Sequence, residues 1–203
     1  MLKIILASAS KRRSEILSSC GIAHEVVVSN AREMMDKKIL ASDMVKRNAE
    51  SKAELVARSS GPAIVIGADT LVTHGNTIIG KPQDEGEARE ILSRFSGGAV
   101  EVHTGLCVID TATGRKTSGV DMSEVRVAVL SNEEVEEFFP LLGPYDKAGG
   151  FSIEGVGSMI FDNIQGSYFN VLGLPMMKLK ELFRHIGRNI LDFIDKDKAR
   201  LSV

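Results

Sequence analysis

The chain of 203 residues has no tryptophan, two tyrosines, two cysteines and five prolines. Cys20 and Cys107 lie far apart and form no Cys-x-x-Cys, which argues against a disulfide-stapled scaffold or a zinc ribbon and fits a reducing cytoplasm. His24, His74, His103 and His185 include no pair four residues apart, so the zinc-protease helix is excluded. No apolar run approaches the roughly 20 residues that span a bilayer. The opening apolar stretch is followed, not preceded, by Lys and Arg, and does not read as a secretory signal. Neither sign of charge dominates: 25 basic against 27 acidic residues leave a net charge of −2. That balance speaks against a nucleic-acid coat or a polybasic membrane surface, but leaves room for a local basic pocket. There is no Gly-x-x-x-x-Gly-Lys-Ser/Thr, no Gly-x-Ser-x-Gly, no internal repeat and no low-complexity segment.

What is present is 43% hydrophobic and 26% charged, enough for a substantial core. Residues 3–7 read as a strand, followed by a tight Ser8-Ala9-Ser10 loop and a helix stopping near Cys20-Gly21. Residues 24–28 form a second apolar run, and 29–40 have no pattern. Residues 42–59 read as a helix, because Val45, Ala49, Ala53 and Val56 recur on one face; Lys52 falls on that same face. Residues 63–68 read as a buried strand closed by Asp69-Thr70, with a Gly75-Asn76 turn leading to residues 77–79. A helix is expected over 84–95, two long strands over 100–110 and 116–129, and a helix start at Ser131. A strand is expected near 158–161, and closing helices over 175–184 and 189–200. No linker interrupts the apolar segments. The expected fold is mixed α/β, a single unit over 1–187 with two lobes, and a helical extension over 188–203.

Charge gathers at four places. Lys11, Arg12 and Arg13 stand where a helix begins, although cations oppose the dipole there, so an anion is one reading and a solvated basic turn capped by Ser8 or Ser10 the other. Asp69 follows five apolar residues, as a rigidly held general base or metal ligand would, or as a simple turn cap. Lys81 sits between Gly80 and Pro82, either held for a ligand or exposed in a turn. Asp146-Lys147-Ala148-Gly149-Gly150 continues through Ile153-Glu154-Gly155, glycines enough to shape a backbone around a ligand, or a plain salt-bridged loop. Lys52 either snorkels or joins this set. Several cations together with Glu33 and Asp69 as oxygen donors for a divalent metal are what phosphoryl chemistry requires.

The motifs Ser-Ala-Ser-Lys-Arg-Arg-Ser-Glu-Ile-Leu at 8–17, Gly-Ala-Asp-Thr at 67–70, Gly-Lys-Pro at 80–82, Asp-Lys-Ala-Gly-Gly-Phe at 146–151 and Gly-Ser-Tyr-Phe-Asn-Val-Leu-Gly-Leu-Pro at 166–175 resemble, in order and spacing, the Maf family. These are nucleoside triphosphate pyrophosphatases first associated with septum formation. The resemblance implies an elongated α/β fold like that of inosine triphosphate pyrophosphatases, with a cleft between two lobes. It implies hydrolysis of a nucleoside triphosphate to the monophosphate and pyrophosphate with Mg²⁺ or Mn²⁺, a house-cleaning role in the cytoplasm, and no nucleic-acid or membrane partner; a homodimer is allowed. By motif, Asp69 would accept a proton from water. Ser8, Arg12 and Arg13 would cradle phosphates, Lys52, Lys81 and Lys147 would neutralise charge, and Glu33 would stand with Asp69 on the metal side.

Two departures stand out. Lys11 replaces the proline common before the two arginines. The type acting on dTTP and UTP carries Arg, Thr and Gln at the places of Arg12, Thr70 and Glu154, whereas the 7-methyl-GTP type differs at the first, has Gln at the second and Glu at the third. This chain matches the pyrimidine type at two of three, and dTTP/UTP is the expected substrate pair. Glu154 points the other way, because an ionised carboxylate only accepts hydrogen bonds and suits the donors of a guanine edge. A nucleotide-binding regulator of cell division, without essential catalysis, is the alternative of another class.

Overall fold

The computed structural model describes residues 2–36, 38–75, 77–143 and 151–199. Among the described residues seven strands form one sheet: β1 (Lys3–Ala7), β2 (His24–Val26), β3 (Ala63–His74), β4 (Thr77–Ile79), β5 (Ala99–Asp110), β6 (Arg115–Val127) and β7 (Phe161–Gln165). The order is β2-β1-β3-β5-β6-β7, with β4 on β3; β2, β1 and β3 run parallel and the pairs from β3 onward are antiparallel. The helices are α1 (Lys11–Ser19), α2 (Ala41–Ala57), α3 (Glu85–Phe95), α4 (Asn132–Phe138), α5 (Tyr168–Val171) and α6 (Met176–His185). None of them is long and apolar enough to cross a membrane.

Alternation along β3 and β5 divides the core. Val65, Cys107 and Ile109 pack with Ala49, Ala53 and Val56 of α2 on one face. Ile64, Ile66, Ala68, Leu106 and Val108 pack with α1 and α6 on the other. A further cluster joins Val72, Val100, Val102 and Val125 to Ala88, Ile91, Leu92 and Phe95 of α3. Val72 and Val102 share the strand parity of Ala68 and Leu106, so this cluster lies on the α1–α6 face, farther along the strands.

α2 approaches the sheet closely because two glycines admit it. A Cβ on Gly67 would meet the Ala49 carbonyl oxygen at 2.2 Å, and one on Gly105 the Val45 carbonyl oxygen at 2.3 Å.

Four local readings differ from the sequence expectation. β3 does not end at Asp69: it pairs with β5 as far as Thr73↔Glu101, because buried Leu71 and Val72 continue its packing. The expected strand near 158–161 is a 3₁₀ turn over Gly155–Met159, and the strand follows as β7; Gly157 lies so close to the Ser152 carbonyl that the chain coils there. α5, unforeseen, is a single capped turn held by Ser167. The closing helix over 189–200 is replaced by a 3₁₀ turn at Ile190–Phe193, which buries both of its end residues; Ile194 then bridges to Ile22.

Candidate active site

β1 pairs with β3 only as far as Ala7↔Gly67, and β4 takes up the same edge of β3 from Val72. The edge of β3 between these two partners carries Asp69 and Thr70. Because successive side chains point to opposite faces, Asp69 turns to α2 and Thr70 to α1. A cleft of about 820 Å³ opens at this gap, lined by Ser8, Arg12, Arg13, Glu33, Lys52, Asp69, Thr70 and Lys81 at its polar end. Val72, Val102, Phe95, Phe151, Ile153 and Phe161 form an apolar wall.

Asp69 is 6% exposed. Its Oδ1 accepts from Lys52 Nζ at 2.7 Å and its Oδ2 from Asn48 Nδ2 at 2.9 Å. Lys52 also pairs with Glu33 Oε1 at 2.6 Å, so one ammonium touches two carboxylates. That hydrogen bond, with Lys81 and Arg13 adding to it against burial, holds the Glu33 carboxyl below its ordinary value. Lys52 reaches this position because it lies one turn after the closely approaching Ala49.

Ser10 caps α1, accepting from the Arg13 N–H, and no acidic residue occupies the first turn. Arg13 lines the cleft, yet its guanidinium is engaged by the protein. Nε donates to Gly173 O at 2.8 Å, Nη1 to Ser8 Oγ at 2.9 Å and Ala68 O at 3.0 Å, and Nη2 to Thr70 Oγ1 at 2.8 Å. Burial lowers its pKa, opposed by the charges of Asp69 and Glu33. Thr70 continues this chain to Thr104 Oγ1 at 3.0 Å, and Thr104 to Asn170 O at 3.1 Å. Arg12 instead crosses to the far side: Nη2 meets Glu154 Oε2 at 2.8 Å and Ser152 Oγ at 3.2 Å.

The structure thus brings together Ser8, Arg13 and Thr70 in one group, Glu33, Lys52 and Asp69 in a second, and Arg12 with Glu154 in a third. Lys81 is exposed on the cleft margin. Lys147 lies outside the described residues. Sequence reasoning missed Asn48, Thr104 and Asn170, which are buried. Asn48 had a readable signal, since it sits four residues before Lys52 beside the apolar stripe; Asn170 lies within the motif at 166–175, and Thr104 of β5 had no signal.

Among the described residues no three or more His, Cys, Asp or Glu side chains gather as a metal site. The two carboxylates at Lys52 are hard oxygen donors already sharing one cation. Such a pair fits Mg²⁺ or Mn²⁺, which complete their coordination with water and substrate phosphates.

Residues 3–186 match a family model described as Maf-like protein. A relative from Desulforamulus reducens described as dTTP/UTP pyrophosphatase is 41% identical over 191 residues, covering 94% of this chain and all of that one. A Bacillus cereus relative with the same description is 41% identical over 179 residues, covering 88% of this chain and 93% of its own. A solved structure from Mycobacterium abscessus, titled nucleoside-triphosphatase / dITP/XTP pyrophosphatase, is 14% identical with a TM-score of 0.40, covering 92% of this chain and 95% of that one.

Proposed function

The chain belongs to the Maf family, and from that premise we propose that it hydrolyses dTTP and UTP to the monophosphate and pyrophosphate. The observation that carries the reading is the pairing of Lys52 with both Glu33 and Asp69 in a cleft whose lining is part charged and part apolar. A nucleoside triphosphate has that same division: a polyanion at one end and a flat, weakly polar base at the other.

In the reaction, a water oxygen bonds to the α-phosphorus as the bond from that phosphorus to the α–β bridging oxygen breaks. Pyrophosphate carries away the bridging oxygen. Asp69 accepts the proton of the attacking water, with the carboxylate aimed by Lys52 and Asn48 on its two oxygens. Lys52, Lys81 and the N–H groups at the start of α1 offset the charge of the triphosphate. Glu33 and Asp69 would hold Mg²⁺ or Mn²⁺, which would draw charge from the phosphate oxygens. Arg13 supports the site from behind, fixing Ser8 and Thr70 around one guanidinium.

Glu154 favours a second reading, 7-methyl-GTP as substrate. Its pairing with Arg12 speaks for the pyrimidine reading, since one carboxylate oxygen is already engaged away from a base. The test is pyrophosphate release from dTTP, UTP, CTP, GTP and 7-methyl-GTP with Mg²⁺ and with Mn²⁺. Preference for dTTP and UTP is expected. Preference for 7-methyl-GTP would assign the base to Glu154, and binding of nucleotides without turnover would turn the reading toward a regulator.

A further inference from the structure

Asn48 is 3% exposed and does not line the cleft, yet its whole amide is committed to the site. Its Oδ1 accepts from Met34 N at 2.7 Å, and its Nδ2 donates to Met34 O at 3.1 Å and to Asp69 Oδ2 at 2.9 Å. The first two bonds grip both polar groups of one residue, as a neighbouring strand would. Met34 follows Glu33 in a stretch with no regular secondary structure, residues 27–36. Glu33 is consequently placed by its neighbour's backbone, and Asp69 by its second oxygen, from the same buried side chain.

We infer that Asn48 is a positioning residue that holds Glu33 and Asp69 in register with each other; this rests on the pyrophosphatase reading above. The contacts close a ring: Asn48 to Met34, Glu33 to Lys52, Lys52 to Asp69, and Asp69 back to Asn48. Asn48 and Lys52 are one helical turn apart and share a face of α2, which makes the ring possible. Their contributions differ. Lys52 brings charge on a flexible stem that a triphosphate can draw away. Asn48 is neutral, short and buried, so its hold persists when Lys52 turns to a phosphate. A small displacement of a catalytic carboxylate is costly, because the attacking water must lie in line with the leaving group.

The test compares the unaltered protein with Asn48→Leu and Asn48→Asp. Leucine has the same number and branching of side-chain heavy atoms and favours helix but makes none of the three bonds. Aspartate keeps an acceptor for the Met34 N–H but cannot donate to Met34 O or Asp69. Two quantities are read: kcat and KM for dTTP from pyrophosphate release, and hydrogen exchange at the Met34 amide in protein without nucleotide or metal. For Asn48→Leu, kcat is expected to fall about tenfold or more with KM little changed, and the Met34 amide to exchange faster. For Asn48→Asp, kcat falls while Met34 retains part of its protection. Unchanged exchange at Met34 in the leucine variant, or a kcat loss matched by an equal loss of folded protein, would overturn the inference. A wild-type protein that turns over no nucleotide would sink the pyrophosphatase reading instead, and the Met34 exchange would still decide whether Asn48 is the tether.

Discussion

Lys52 carries a single positive charge between two carboxylates, and that arrangement sets what each neighbour contributes. Asp69, buried and held at both oxygens, has the fixed direction a proton acceptor needs; Glu33, on an exposed stretch, is held by its pairing with Lys52 and by the Asn48 bonds to the backbone of Met34. Asp69→Asn is therefore expected to lower kcat by about 10²–10⁴-fold while nucleotide binding, followed by equilibrium dialysis, is retained. Unaltered turnover would remove Asp69 from the chemistry. Arg12 and Glu154 pair across the cleft margin with side chains 25% and 42% exposed, so the pair is worth no more than about 1 kcal/mol. Glu154→Gln frees Arg12 for a substrate anion. The expected result is a KM for dTTP lower by about two- to fivefold, and a smaller relative rate on 7-methyl-GTP. A rise in KM would mean that Glu154 itself touches the substrate.

At the scale of elements, the close seating of α2 on β3 and β5 is what delivers Asn48 and Lys52 to Asp69. It depends on Gly67 and Gly105, where side chains would collide with the helix backbone. Gly105→Ala places a Cβ 2.3 Å from the Val45 carbonyl oxygen and 2.6 Å from the Lys46 nitrogen, so the helix must lift. Thermal melts are expected to show a loss of about 1–3 kcal/mol, with kcat falling more steeply than stability because the ring around Lys52 opens. Gly61→Ala, which meets nothing within 4 Å, is the control expected to leave both nearly unchanged. The start of α1 depends on its cap in a similar way: Ser10 satisfies one backbone donor by accepting from the Arg13 N–H.

For the whole molecule, the segment after α6 is tied back to the sheet at Asp110, whose side chain is fully buried at the end of β5. Arg188 donates to its Oδ2 through Nε at 2.8 Å and Nη2 at 2.7 Å, and the N–H groups of Ala112 and Thr113 bond its Oδ1. Burial would raise this carboxyl, but the guanidinium and the two backbone donors outweigh it and hold it below its ordinary value. A lowered folded-state value means the stabilisation is complete above the unfolded carboxyl's range and is lost as pH falls through the folded value. Arg188→Met is expected to cost about 2 kcal/mol at pH 7, measured by urea unfolding. The difference from the unaltered protein should shrink below about pH 4, as the carboxyl takes up its proton. A gap that stays constant across this range would show that Arg188 acts through packing alone.

A short apolar run made β1 legible, and the stripe repeating along α2 and α3 stated which face of each helix is to be buried. The ordered motifs made Asp69, Ser8, Arg12, Arg13, Lys52 and Lys81 legible as a set lining one cleft. Local pattern failed where the partner lies far along the chain. β3 continues past Asp69 because β5 pairs with it, and the stretch before β7 coils because Gly157 sits against Ser152. The last segment turns short because Ile194 finds Ile22. Local pattern and motif order were enough for the class of fold and the family, and for naming charged residues that line one cleft. The folded arrangement is what bonds the Arg13 guanidinium to Ser8, Ala68, Thr70 and Gly173, brings Arg12 to Glu154, and lets Asn48 join the segment carrying Glu33 to Asp69. Hydrogen bonds are directional and short, and residues 140 positions apart become partners only after the sheet has set their places.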